Sequence, residues 1–255
     1  MNFIVTGNTD IGLTKSTNQD SLSMKVINTP QGRMVLAVLC DGMGGLAMGE
    51  VASASVIRAF DDWARTRLPL LCNGHIEDYV IRNEWDAIIQ SQNRSIQAYG
   101  GRLGIRLGTT VTAMLITQTR YYILNVGDSR AYELFNGIRQ LTVDQTVVAR
   151  EVAMGLLTEE QALHDERRSV LLQCVGASEE VYPDMFFGDT QVNAVYMLCC
   201  DGFRHEITAD EIYQYLQPNM LFDEGGMNQN SRYLIELNKQ RQERDNITVA
   251  LVRTF

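Results

Sequence analysis

The chain has few histidines and prolines and no long apolar run: its 255 residues include three histidines and four prolines. Its five cysteines are odd in number and show no CxxC spacing, and Cys40, Cys199 and Cys200 lie inside apolar segments. This pattern is typical of buried reduced thiols and argues against a disulfide framework or a zinc site. No basic-then-apolar leader opens the chain, and no apolar run approaches the ~18 residues of a membrane span. We therefore expect a cytoplasmic protein without a membrane segment.

Basic side chains are also in the minority. Lysine and arginine total 22 against 31 aspartate and glutamate residues, which gives a formal net charge of -9. This balance argues against a general nucleic-acid binder, because such proteins normally carry a basic face. The hydrophobic content of 45% is ordinary for a globular protein, and a chain of this length can bury one sizeable core. No linker-like or repeated segment marks a boundary, so we expect residues 1–255 to form a single domain.

Aspartates at the ends of apolar runs are the most informative feature of the chain. Asp41 follows MVLAVLC, Asp128 follows YYILNVG, Asp201 follows AVYMLCC, and Asp245 comes just before ITVALV. Each run has the length and the β-branched or aromatic content of a buried strand. Carboxylates that converge at the rim of a sheet repel one another unless cations bind between them. With no histidine beside them, they form the ligand set of Mg²⁺ or Mn²⁺ rather than of zinc.

The spacing of apolar residues predicts the order of the secondary structure. Two stretches near the helical period, Glu50–Leu68 and Ile76–Tyr99, separate early strands from later ones, and two more helices precede a last strand. Asn136-Gly137 is a signal for a two-residue hairpin. This order predicts an α+β fold with stacked sheets covered by helices on both faces. Residues Asp144–Arg168 look helical but are amphipathic only in pieces and rich in Glu, Arg and Gln. We expect residues 144–170 to form a flap subdomain over the rim.

Seven segments of the chain, in this order, resemble the metal-dependent protein phosphatases, the type 2C serine/threonine phosphatases, and in particular their short bacterial members. They are DIGLTKSTNQD, DGMGGLAMGEVAS, GTTVTAML, VGDSRAY, LTVDQ, CDGF and RDNITV, and the resemblance spans nearly the whole chain, from Asp10 to Val252. One short piece is weak evidence, but the full series in order is a strong signal. The resemblance implies a four-layer αββα sandwich, two antiparallel β-sheets flanked by helices.

The resemblance also implies a centre of two Mn²⁺ or Mg²⁺ ions. Asp41 would bridge them, and the backbone carbonyl of Gly42 would ligate the second ion. Asp201 and Asp245 would complete the shell of the first, and Asp20 would hold a water on the second. The ions would share and acidify a water that attacks the phosphorus of phosphoserine or phosphothreonine in line.

Two further roles follow from the resemblance. Asp128, with Asp201, would form the weaker third-metal site seen in bacterial members, so that two or three ions bind. Asn246 is expected to orient Asp245. The residues predicted to carry catalysis are Asp41, Asp201 and a basic side chain, Lys15.

Three positions depart from the family pattern. Lys15 stands where the family has a phosphate-binding arginine; it keeps the charge but loses the planar two-pronged contact, so we expect weaker phosphate capture. Leu46 stands where many bacterial members carry histidine, and Gln145 follows Asp144 where the family often has Asp-His. The leaving serine oxygen therefore has no obvious histidine donor, since His205 is expected at the surface.

Three functions are compatible with these residues. The first is an active phosphatase for phosphorylated proteins, acting as a monomer opposite a serine/threonine kinase in signalling. The second is a phosphatase-fold binding or regulatory module with little catalysis, which the departures at Lys15 and Leu46 keep open. The third is a two-metal hydrolase of small phosphoesters or nucleotides. Against the third, Gly101–Gly108 has neither the spacing nor the ending of a P-loop.

Overall fold

The computed structural model describes residues 1–43 and 48–255, so the expectations for Leu46 lie outside the described residues. The described residues form two five-stranded antiparallel sheets. In spatial order, the first sheet contains β1 (Phe3–Asp10), β10 (Ile247–Thr254), β9 (Val195–Cys199), β6 (Arg130–Leu134) and β7 (Ile138–Gln140). The second contains β2 (Ser21–Thr29), β3 (Gly32–Cys40), β4 (Val111–Ile116), β5 (Arg120–Val126) and β8 (Asp184–Asp189).

Helices cover the outer faces of both sheets. The α-helices of the described residues are, in chain order, α1 (Gly49–Thr66), α2 (Leu68–Leu71), α3 (Asp78–Leu103), α4 (Val147–Ala153), α5 (Glu159–His164), α6 (Ala209–Leu216) and α7 (Glu224–Gln240). Helices α1 and α3 pack on the second sheet, and α6 and α7 pack on the first. The result is the predicted α+β fold, a four-layer αββα sandwich. Among the described helices, none combines the length and the apolar character needed to span a bilayer.

Both faces of strand β3 are covered, which explains why its sequence is one continuous apolar run. Val35, Ala37 and Leu39 point into the core between the two sheets. The alternate residues Leu36 and Val38 point into the core under α1 and α3. Because successive side chains of a strand face opposite sides, and both sides of β3 are covered, every residue from Met34 to Cys40 is buried.

One local expectation was wrong. The β6–β7 hairpin is present, but Leu134 pairs with Ile138, so its loop has three residues, with Gly137 at a φ of 140°.

The stretch expected to be helical in pieces contains two short helices, α4 and α5. Helix α4 ends before Gly155, whose φ of 71° is left-handed, and the capping box of Thr158 starts α5 afresh.

Candidate metal centre

The antiparallel register brings the acidic strand ends to one rim of the sandwich. Ser21 pairs with Cys40 and Asp10 pairs with Ile247, so the residues just beyond each pair meet at the same edge. Asp41 is fixed there through its backbone. Its amide donates to Thr110 Oγ1 (3.1 Å), and its carbonyl accepts from the Thr110 amide (2.8 Å) and from Thr109 Oγ1 (2.9 Å). The two residues just before β4 therefore hold the residue that follows β3.

The carboxylates form a cluster with unsatisfied oxygens. Ligand atoms of Asp20, Asp41 and Cys200 lie within 4.8 Å of one another. Asp20 Oδ2 accepts from Thr248 Oγ1 at 2.5 Å. Asp20 Oδ1 and Asp201 Oδ1 are buried and have no hydrogen-bond partner among the described residues. A buried acceptor without a partner costs about 1–3 kcal/mol, more for a charged group, so these two oxygens fit a hard cation.

Electrostatics within the cluster also favour cations. Burial raises the pKa of Asp20 to about 6, and the charges of Asp201 and Asp245 add to that rise. Burial raises the pKa of Asp41 well above its usual range, with further contributions from Asp20 and Asp201. The cluster therefore resists holding all its negative charges by itself. A divalent cation between the carboxylates reverses this effect, because it favours their ionised form.

Lys15 lies at this cluster. Its Nζ is 2.7 Å from Asp245 Oδ1. Burial by itself lowers the pKa of Lys15, but the hydrogen bond to Asp245 and the charges of Asp41 and Asp201 outweigh it and raise the pKa overall. The ammonium therefore stays charged beside the carboxylates.

Gly42 permits a close approach of two backbone segments next to Asp41. Its amide donates to the carbonyl of Gln19 at 3.2 Å. A Cβ at this position would lie 2.5 Å from that same oxygen. Only glycine therefore fits between the residue before Asp20 and the end of β3.

Asn246 organises the opposite side of the centre. Its side-chain oxygen accepts from the amide of Gln19 (2.9 Å), and its side-chain nitrogen donates to the carbonyl of Ile11 (2.9 Å). The side chain thus fixes the loop that carries Lys15. It is the backbone amide of Asn246 that contacts Asp245, by donating to Oδ1 at 2.8 Å.

His205, which was expected at the surface, and Glu243, which the sequence reasoning missed, are functional candidates. The expected surface position of His205 is wrong: only 20% of its side chain is exposed, and its Nε2 lies 3.6 Å from Asp201 Oδ2. Its Nδ1 lies 3.3 Å from Glu243 Oε2, while Glu243 Oε1 accepts the amide of Asp245 at 2.8 Å. Burial by itself lowers the pKa of His205, but Glu243 and Asp201 raise it overall. The spacing of His205 four residues after Asp201 was the available signal.

Asp128 lies in a separate ion-pair network beside the cluster. Arg204 Nη2 donates to the Asp128 carbonyl at 2.9 Å and lies 3.6 Å from Asp128 Oδ2. Burial raises the pKa of Asp128 to about 7, and the charge of Asp201 adds to this. Gln145, the departure from Asp-His, is buried below the same turn, where its Oε1 accepts the amide of Gly127 at 2.9 Å. Its side chain therefore supports the turn that carries Asp128.

A cavity of about 770 Å³ opens between this network and the helices α4 and α5. Its wall includes Asp128, Asp144 and Arg204 on the rim side, and Leu163 and Arg168 from residues 144–170. Part of the predicted flap thus lies beside the metal centre.

Gly12 is expected to be indispensable for the geometry of Asp245. It has a φ of 75°, and a Cβ there would lie 2.0 Å from the carbonyl oxygen of Asp245. We expect Gly12→Ala to lower kcat/KM by about 10²-fold, because misplacing a group in an active site by about 1 Å has effects of that size. Steady-state kinetics at saturating Mn²⁺ measure the change.

Gly104→Ala is the matched control. Gly104 has a similar φ of 68°, but a Cβ added there would have no atom within 4 Å. Both variants therefore carry the backbone strain of about 1–2 kcal/mol, and only Gly12→Ala carries the clash. Equal activity losses in the two variants would show that strain alone, not contact with Asp245, explains the effect.

A two-sheet sandwich with a rim of unsatisfied carboxylates and one ammonium is the architecture of a metal-dependent phosphohydrolase. A family model described as Protein phosphatase 2C matches residues 13–222. The chain belongs to the protein phosphatase 2C family, whose members are metal-dependent serine/threonine phosphatases. The family, the fold class and the enzyme class that the sequence predicts are thereby confirmed.

Individual relatives agree with this assignment. The serine/threonine phosphatase stp of Listeria innocua is 30% identical over 247 residues, which cover 96% of this chain and 93% of that protein. The structure of Stp1 from Staphylococcus aureus covers 98% of this chain and 94% of its own, at 28% identity and a TM-score of 0.83. The catalytic domain of PstP, solved in complex with two manganese ions, covers 99% of both chains at 27% identity and a TM-score of 0.78.

Proposed function

We propose that this phosphatase removes phosphate from phosphoserine and phosphothreonine at the carboxylate cluster. Asp20, Asp41, Asp201 and Asp245, with the carbonyl of Gly42, hold two divalent cations. The observation that carries this proposal is the pair of buried, partnerless oxygens, Asp20 Oδ1 and Asp201 Oδ1, among the described residues of one acidic cluster. When bound, the cations supply the Lewis acidity that lowers the pKa of water and offsets charge on the phosphoryl oxygens.

The chain's own residues keep this site rigid. The three backbone and hydroxyl contacts to Asp41 fix its direction, and Thr248 fixes one oxygen of Asp20, which leaves the other free. His205 positions Asp201, because its ring lies between that carboxylate and Glu243. Pre-arranged ligands do not have to reorganise during the reaction, and this is the larger part of what a protein contributes to such catalysis.

Lys15 is the residue we assign to phosphate capture. Its ammonium lies at the cluster, where it contacts Asp245 Oδ1. A metal ion bound to that oxygen would release the ammonium to contact phosphate. An ammonium there offsets negative charge on a bound phosphoryl group, but as a point charge it lacks the two parallel hydrogen bonds of a guanidinium.

Lys15→Arg is expected to lower KM for a phosphothreonine peptide about tenfold. A second charge-assisted hydrogen bond contributes about 1.5 kcal/mol, and 1.4 kcal/mol corresponds to a factor of ten. Initial rates over a range of peptide concentrations measure KM. Lys25→Arg serves as the control, because Lys25 pairs with Asp61 away from the site (3.1 Å). An unchanged or higher KM in Lys15→Arg would mean that Lys15 does not contact phosphate.

Substrate class and setting are part of the same proposal. The substrates are phosphorylated proteins, and the opposing enzyme is a serine/threonine kinase in a signalling pair. All five cysteines are free, buried thiols, which supports a reducing, cytoplasmic location. We further propose that residues 1–255 act as one monomeric catalytic domain, with residues 144–170 as its flap subdomain beside the cavity.

A substrate comparison tests the function. With Mn²⁺ present, we expect turnover of p-nitrophenyl phosphate and of a phosphothreonine peptide, with the peptide preferred over nucleoside phosphates. Preference for nucleotides would favour the small-phosphoester hydrolase. Absence of turnover with every substrate and at every Mn²⁺ concentration would favour a binding or regulatory module.

A further inference from the structure

A side chain of the protein already supplies a cation at Asp128. Arg204 Nη2 lies between two carboxylates: it donates to the carbonyl of Asp128 and is 3.6 Å from its Oδ2, and it is 3.5 Å from Asp144 Oδ2. Only 12% of the Arg204 side chain is exposed. Asp128 therefore faces a guanidinium, whereas Asp20 Oδ1 and Asp201 Oδ1 face no hydrogen-bond donor among the described residues.

The backbone next to Asp201 fixes where Arg204 stands. Asp201–Phe203 form a single turn of 3-10 helix, and the amide of Arg204 closes it by donating to the carbonyl of Asp201 at 3.0 Å. Because this tight turn comes directly after Asp201, it keeps Arg204 at the rim. The Arg204 side chain can therefore reach Asp128, which the family resemblance predicts to bind a third ion together with Asp201.

The charges around Asp128 are close to balance without a further ion. Arg130 holds Asp144 with two parallel hydrogen bonds of 2.7 Å, and Arg204 spans Asp144 and Asp128. The carboxylates of Asp128 and Asp144 thus face the guanidinium groups of Arg130 and Arg204, and their charges balance. Without Arg204, one negative charge would be left uncompensated next to that of Asp201, and a divalent cation would neutralise the two together.

We propose that Arg204 takes the place of a third metal ion, so that this phosphatase binds two divalent cations and not three. This inference rests on the proposed two-ion centre. It replaces the expected role of Asp128 as a ligand of a third ion with an ion pair to Arg204. Arg204 also links Asp144, the first residue of the flap segment, to the rim. An exchangeable metal ion would make the same link only while it is bound. An arginine is always charged, so this link does not depend on the metal concentration.

Counting Mn²⁺ ions tests the proposal directly. Titration of the metal-free protein with Mn²⁺ alone, followed by isothermal calorimetry and by the loss of the free-Mn²⁺ electron paramagnetic resonance signal, gives the number of bound ions. We expect two ions for the wild type and three for Arg204→Gln, which removes the charge and keeps most of the side chain. Arg168→Gln is the matched control, because it removes a guanidinium from an exposed position in the same cavity and should leave the count at two.

A second variant keeps the test decisive if Arg204→Gln does not fold. Asp128→Asn in the wild-type background should leave the count at two, because Asp128 holds no ion there. In the Arg204→Gln background it should return the count from three to two. Three ions in the wild type, or a loss of one ion in Asp128→Asn alone, would overturn the proposal.

The failures of the two proposals are distinguishable. If no Mn²⁺ binds to the wild type, the two-ion centre itself is wrong. If two bind to the wild type and Arg204→Gln also stays at two, the centre stands and only the role of Arg204 is wrong.

Discussion

Asp41→Asn is expected to abolish phosphatase activity and at the same time to stabilise the metal-free protein. Activity should fall by at least about 10³-fold, since cations contribute several kcal/mol to the transition state and each 1.36 kcal/mol is a factor of ten. Stability should rise because burial raises the pKa of Asp41 well above its usual range. Asparagine has a similar shape but carries no charge into that buried cluster.

The free energy of unfolding of the metal-free protein should rise at neutral pH, because the folded protein carries the charge of Asp41 in this buried cluster only at a cost. Urea unfolding in the presence of a chelator measures it. Asp62→Asn is the control, because Asp62 is exposed and pairs with Arg65 along α1 (2.8 Å). A variant that keeps wild-type activity would remove Asp41 from the metal centre, and one that loses stability would show that the cluster is not electrostatically strained.

Chelation of the ions is expected to inactivate the enzyme and to lower its melting temperature, more at about pH 7.5 than at about pH 5. An ion present at 100 times its Kd stabilises the folded state by about 2.7 kcal/mol per site. For a chain of this size that corresponds to about 5–10 °C per site.

The pH dependence follows from the metal-free carboxylates. Burial raises the pKa of Asp20 to about 6 and that of Asp41 well above its usual range. In the unfolded chain both carboxyl groups titrate near their usual pKa. Between that pKa and the raised pKa of the folded state, the folded metal-free protein binds more protons than the unfolded chain, so it loses stability as the pH rises. These carboxylates therefore destabilise the metal-free protein more at neutral pH than at pH 5, and neutral pH is also where the ionised carboxylates bind the ions best. Calorimetric melting of chelated and Mn²⁺-loaded protein at both pH values measures the difference, and an equal shift at both would contradict this account.

Patterns that depend on near neighbours in the sequence were predicted well. The two stretches predicted from the helical period, Glu50–Leu68 and Ile76–Tyr99, are found as α1 and α3 within a few residues at each end, because the period of apolar residues is a local property. The position of the aspartates at the rim was also predicted correctly, because each of them is next to the end of a strand that could be recognised in the sequence. The three-residue hairpin loop was missed, since it depends on one backbone angle that the residue type alone does not determine.

The contacts of Arg204, His205 and Glu243 were missed for a different reason. Each contact joins segments that are distant along the chain: Arg204 to Asp128, and His205 to Glu243. No local pattern reports such a contact. It exists because β5 and β9 end, and β10 begins, at the same rim once the two sheets have packed together.

The sequence by itself determined the kind of ligand this protein offers, since oxygen donors at the ends of buried strands select hard cations wherever they meet. It also determined the family, because the motifs occur in order along almost the whole chain. Only the tertiary structure decided which carboxylates share a site and which are neutralised by a side chain. Asp20 and Thr248 touch across 228 positions, and Arg204 reaches Asp128 across 76. Strand register and the packing of the two sheets set these distances, and a carboxylate without a guanidinium beside it is left for a metal ion.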